Sequence, residues 1–322
     1  MFFHTKELQY PVRVDRPDPV YAKQLQELIG GKFGEMTVMM QYLLQGWSVR
    51  GDAGDPELAR LKDMLLDTGT EEIAHVEMLS TCVALLLEGT SPEQQEEAAK
   101  GNALVYATLG GMNPQHMIMA GLSAQVTDSV GNPWLGTFAT ASGNLVADLH
   151  ANATAEMQGR LQACRLYEMT ADAGVRDMLS FLIARDHMHQ LQWLAAIEEL
   201  GGLPQNLPVP ATFPLERERQ DAAFSFLDYS KGPDGHASGQ GRWASGPTLD
   251  GRGEFSYVAD PPALGQAPHL APPPATLHAG YLGSPTSSEP SASESPADQS
   301  IVGKITGALG GDADTAGASH QG

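Results

Sequence analysis

Cysteine is nearly missing from this chain of 322 residues, which has two, Cys82 and Cys164. Their scarcity excludes a disulfide scaffold and a thiolate zinc site. Both fall inside helical patterns, where two buried, reduced thiols of a cytoplasmic protein are expected. Basic residues are scarce too: 19 Lys and Arg stand against 39 Asp and Glu, for a formal charge of -20. So acidic a chain cannot neutralise phosphates, which argues against nucleic acid and anionic membranes as partners and in favour of cations. No apolar run reaches the roughly 18 residues that a membrane span needs, and no basic and apolar leader opens the chain. Proline is sparse up to about Leu203, and most of the 22 Pro come after it. The 42% hydrophobic content is enough for a core, so the composition predicts one helical domain followed by a long irregular tail.

Residues 1–19, with Pro11, Pro17 and Pro19, suit an extended arm with room for one short strand. Residues 20–203 carry four helical patterns. The first runs from Val20 to Val49 and the second from Pro56 to Glu88, stopped by Gly89. The third runs from Phe138 to Thr170, and the fourth from Ala173 or Val175 to Leu200, stopped by Gly201, Gly202 and Pro204. A connection of roughly fifty residues lies between the second and third, including the helix start Ser91-Pro92-Glu93-Gln94 and the weakly polar Ala103 to Val126. Four long helices around one long crossover define an all-α, ferritin-like four-helix bundle. Residues 204–260 hold aromatics that need packing, such as Trp243, Phe255 and Tyr257, and are expected to wrap a neighbouring subunit. Residues 261–322, rich in Pro, Ser, Gly and Ala, are expected to be flexible.

The chemistry gathers on the second helix. At about 100° per residue, Leu58, Leu61, Leu65, Val76, Leu79, Val83 and Leu86 point within roughly 40° of Glu72, whereas Glu71 should face water. A buried carboxylate without a partner costs several kcal/mol or takes up a proton, so Glu72 and His75 aimed into one core suggest a metal ion. The other helices supply matching groups on their apolar faces. The first has Glu35, the third Glu156, and the fourth repeats the acid and imidazole spacing with Asp186 and His189. A single Glu-x-x-His pair is common on solvated faces. Four helices each presenting an acid inward, in this order, are hard to obtain by accident. Oxygen ligands with one imidazole per ion suit a pair of manganese or iron ions.

Other candidates have plainer readings. His187 points about 200° from His189 and reads as a surface or packing residue, and His116 and His150, which lack an acid partner at metal spacing, read as structural. Met36, Met39, Met40, Met112, Met117 and Met119 suit adaptable packing. Tyr42 serves equally well as core or as a hydrogen-bond donor behind a ligand.

Gly34-Glu35-Met36 with Gln41-Tyr42, Gly69 to Glu77, Ala155-Glu156 and Ile183 to Gln190 resemble the ligand segments of manganese catalases. Arg242-Trp243-Ala244, Asp250-Gly251 and Gly253-Glu254-Phe255 resemble that family's C-terminal segment, so the likeness covers roughly residues 1 to 260. The resemblance implies a homohexamer with two manganese ions per subunit, cycling between divalent and trivalent states to disproportionate hydrogen peroxide. It implies Glu35, Glu72, His75, Glu156 and His189 as ligands, with Glu72 bridging. Asp186 would be the outer carboxylate near His189, and Tyr42 would join the hydrogen-bond network at the substrate entrance. Family members with a basic residue beside the third-helix glutamate have it where Ala155 stands here, which leaves Arg160 and Arg185 as candidates. Some members hold calcium between subunits with acids on the second helix, which points to Asp63 and Asp67. The alternatives are a ferritin-like protein that oxidises and stores iron, or a di-iron oxidase or peroxidase.

Overall fold

Side-chain caps decide where the helices begin. Asp18 accepts a hydrogen bond from the Tyr21 N–H at the start of α1 (Pro19–Leu25), and Asp55 accepts from Glu57 and Leu58 at the start of α4 (Pro56–Leu86). Asn144 accepts from Ala147 before α5 (Leu145–Met169), and Asp172 from Val175 before α6 (Ala173–Glu199). Each cap occupies a backbone donor that the first helical turn leaves without a partner. α2 (Glu27–Gly30) and α3 (Glu35–Ser48) lie between α1 and α4, and a short α7 (Gly202–Asn206) follows α6. The computed structural model describes residues 3–91, 93, 94, 97, 100, 121–232 and 235–271.

Two expectations change here. The continuous first helix from Val20 to Val49 is broken into α1, α2 and α3, at Gln26 and at residues 31–34, and the close packing around the second break admits only glycine at Gly30 and Gly34. A Cβ on Gly34 would lie 2.8 to 2.9 Å from the carbonyl oxygens of Leu28, Glu27 and Ile29, and one on Gly30 would meet the Thr127 backbone at 2.3 Å. Glu35 is therefore the first residue of its helix. The third helix starts at Leu145 rather than Phe138, which belongs to a single 3-10 turn, Gly136–Phe138.

α3 packs on α4 and α5 on α6, and contacts of α3 with α5 and of α4 with α6 close the bundle. Its interior is layered. One apolar cluster includes Leu25, Leu28, Met78, Leu79, Leu86, Met178, Leu179 and Leu182; another includes Val38, Leu61, Leu65, Leu149, Trp193 and Ile197. Along α4, Glu72 and His75 fall between Leu65 and Met78. Along α6, Asp186 and His189 fall between Leu182 and Trp193. The polar residues thus form a layer between two apolar ones.

Of the crossover, Ser91 and Gln94 exchange hydrogen bonds as a reciprocal helix cap. His116, Met112, Met117, Met119 and most of the Ala103 to Val126 stretch lie outside the described residues. The later part returns to the joint between α2 and α3: Gln26 bonds Gln125, Glu27 accepts from Ser129, and the Trp134 indole donates to Thr37. The N-terminal arm forms no strand among its described residues; Tyr10 instead stacks on Phe181 at 4.5 Å. Cys82 is buried but Cys164 only partly so, and both are free.

Residues up to 261 make one compact unit. The 204–260 segment is more ordered than expected. β1 (Ser225–Asp228) runs parallel to β3 (Glu254–Ala259), with Phe226 opposite Tyr257, and β2 (Gly246–Pro247) pairs antiparallel on the other edge of β3. Trp243 and Tyr257 pack on Phe226 at 6.5 and 6.3 Å, and Arg242 covers the Phe255 ring. Among the described residues no helix is long and apolar enough to cross a membrane.

Candidate metal centre

Helical spacing alone brings Glu72 and His75 together. They are three residues apart on α4, and Glu72 Oε2 lies 2.6 Å from His75 Nδ1. Glu35, at the start of α3, approaches the same nitrogen at 3.8 Å. On the other side, His189 Nδ1 lies 2.9 Å from Glu72 Oε1 and 3.4 Å from Glu156 Oε1. Two triads result, Glu35 with Glu72 and His75, and Glu72 with Glu156 and His189; within each, one ligand atom per residue lies within 4.8 Å of the others. Glu72 belongs to both, with a different oxygen turned to each. All five residues are buried.

The donor set fits metal ions. Glu72 Oε1 and His189 Nδ1 are buried 2.9 Å apart, yet neither has a hydrogen-bond partner, which leaves two donor atoms of the set free for an ion. Burial pushes the carboxyls of Glu35, Glu156 and Asp186 up, and a neighbouring carboxylate adds to this for Glu35 and Asp186. Burial would likewise strip protons from the imidazoles, but the Glu72 charge outweighs it, so His75 stays well above the usual range and His189 is pushed up to about 12. Glu72, despite its burial, is held low by His75 and His189. Without a metal ion this layer therefore binds protons. Ionised, Glu35, Glu72, Glu156 and Asp186 carry four negative charges, which two divalent cations would cancel.

Asp186 is buried beside this set, close enough to feel Glu156, Glu72, His75 and His189, but outside both triads. Tyr42 is fully buried, donates its hydroxyl to Glu156, and packs on Trp193 at 4.8 Å. His187 is exposed, as expected, and so are Asp63 and Asp67. Arg160 donates to the Ile183 carbonyl, whereas Arg185 grips Glu71 with two nitrogens, at 2.7 and 3.1 Å.

Glu71 itself is a correction. It does not face water: its side chain is 18% exposed and reaches His189 Nε2 at 3.1 Å and His75 Nε2 at 3.6 Å. The angle from Glu72 missed it, but the spacing could have found it, since Glu71 stands four residues before His75 and residues four apart share a helix face. Arg185 stands four before His189 in the same way.

A buried layer of carboxylates and two imidazoles, drawn from four helices of a ferritin-like bundle, is a donor set able to hold metal and marks a metal-binding carboxylate protein of that fold. Comparison narrows the class. The family model described as manganese containing catalase matches residues 1–292, and the chain belongs to that family. It is 53% identical over 268 residues to YjqC of Bacillus subtilis (strain 168), an uncharacterized protein, covering 83% of this chain and 93% of that one. It is 49% identical over 268 residues to a manganese catalase of the same strain, covering 83% and 94%. The crystal structure of KatB, a manganese catalase from Anabaena, superposes with a TM-score of 0.62 at 28% identity, covering 81% of this chain and 100% of that one.

Proposed function

We propose that Glu35, Glu72, His75, Glu156 and His189 hold two manganese ions per subunit, with Glu72 as the bridge, and that the protein converts hydrogen peroxide to water and dioxygen as a non-haem catalase. Disproportionation is the function expected of this family. The observation that carries the site assignment is the sharing of Glu72 between the two triads, one oxygen to each. The bound manganese pair supplies the two-electron change that each half-reaction requires. In one half a peroxide takes up two electrons and two protons and leaves as two waters; in the other a peroxide gives up two of each and leaves as dioxygen.

The chain has to hold those protons between the halves. Asp186 is suited to this, since it is buried against the centre but is not a member of either triad. Tyr42 fixes Glu156 by its hydrogen bond. The exposed apolar residues of α6, Met188, Leu191 and Leu194, and the exposed Trp243 and Tyr229 of the C-terminal segment support assembly into a homo-oligomer, for which we propose a hexamer. Asp63 and Asp67, exposed on α4, are the proposed calcium ligands at such an interface, and the proposed location is the cytoplasm.

The test is elemental analysis of protein purified without added metal, with oxygen evolution from peroxide assayed on the same sample. About two manganese per chain with dioxygen released is the expected result. Iron in large excess with no dioxygen would overturn it in favour of iron storage or di-iron chemistry.

A further inference from the structure

We infer that Glu71 is the positioning residue for the metal-binding histidines, holding His189 by its outer nitrogen and standing just beyond hydrogen-bond distance of the outer nitrogen of His75, so that the inner nitrogens face the ions. The inference rests on the metal assignment above. His75 and His189 both turn Nδ1 toward Glu72, and both turn Nε2 toward Glu71. The two rings lie nearly parallel, 5.9 Å apart and 26° from coplanar, so one carboxylate can serve the two ring edges on the same side. Glu71 Oε2 accepts from His189 at 3.1 Å; Oε1 stands 3.6 Å from His75.

An imidazole that donates from Nε2 presents a bare lone pair at Nδ1, which is what a metal ion needs. Glu71 is itself held. Arg185 clamps both of its oxygens, and Gln9 of the N-terminal arm donates to Oε1 at 2.8 Å. The arrangement repeats across the bundle. α4 carries Glu71, Glu72 and His75, α6 carries Arg185, Asp186 and His189 at the same spacings, and the outermost residue of one set pairs with that of the other. This role is separate from that of Asp186, which is buried near the centre and is not a member of either triad.

The test uses the full chain with Glu71→Gln, Glu71→Ala and Arg185→Ala. Two readouts are taken, the rate at which the manganese-loaded protein loses metal to a chelator, and the histidine ring N–H signals of zinc-loaded protein labelled with nitrogen-15 in histidine. The wild type is expected to show two ring protons on Nε2 that exchange slowly with water. Glu71→Ala is expected to lose that protection and to release manganese roughly 10–100-fold faster, with Glu71→Gln and Arg185→Ala in between. Unchanged ring signals and unchanged release in Glu71→Ala and Glu71→Gln, both still folded by circular dichroism, would overturn the inference. A wild type that takes up zinc but holds no manganese would instead overturn the metal assignment, and the ring signals would then decide the role of Glu71 alone.

Discussion

The Tyr42 hydroxyl reaches Glu156 from inside the core, while its ring packs on Trp193. Tyr42→Phe removes the donor and keeps the packing, so the thermal midpoint and manganese content should change little. Oxygen evolution should fall by about one to two orders of magnitude, because Glu156 loses the group that orients it. Parallel metal analysis and peroxide assays check this; loss of manganese from the variant would show Tyr42 to be a stabilising residue instead. The five proposed ligands were legible in the sequence because each lies on an apolar helix face, where a charged side chain is conspicuous. Glu71 was not, because it lies about 100° from Glu72 and only its spacing of four from His75 betrays it, and because its partner Arg185 comes from another helix. Direction around a helix locates a Cβ; it does not locate a carboxylate three bonds further on.

At the scale of elements, α4, α6 and the body of α5 were readable from periodicity, whereas the break before α3, marked in the sequence by Gly30, Gly31 and Gly34, was hidden because the apolar spacing continues across it. The interval between helices is set by small residues. Gly69 on α4 lies against Leu43 of α3, where a Cβ would come within 2.8 Å of the Leu43 side chain and 3.1 Å of its backbone nitrogen. Gly69→Ala should therefore push the two helices apart and cost about 1–3 kcal/mol, read as a lower midpoint in urea unfolding. Because Glu35 and Glu72 ride on these two helices, the same variant should bind manganese less tightly. A variant of unchanged stability would mean that Leu43 gives way freely. The C-terminal sheet escaped sequence reading for the opposite reason: its strands are short, and glycines and prolines surround them.

For the molecule as a whole, the acidic balance leaves few compensating cations, so single carboxylates with good partners matter. Asp228, buried at the end of β1, accepts from Tyr257 at 2.5 Å and His236 at 2.8 Å, and these bonds hold its carboxyl below the usual range. A depressed carboxyl stabilises the folded state at every pH above its unfolded value, about 3.9, and the benefit is lost as pH falls toward the folded value. Asp228→Asn should accordingly lower the thermal midpoint by a constant amount from neutral pH down to about 4. Below that, the gap between variant and wild type should close. A gap that widens in acid would contradict this account.

The pairing of the helices also dictates an order of events during folding. The α3–α4 hairpin brings Glu35, Glu72 and His75 together, and the α5–α6 hairpin brings Glu156 and His189 together, but the second triad needs the two hairpins to dock across the long crossover. Helical signal should therefore return first on refolding, and the capacity to take up a metal pair later, as that docking joins Glu72 to Glu156 and His189.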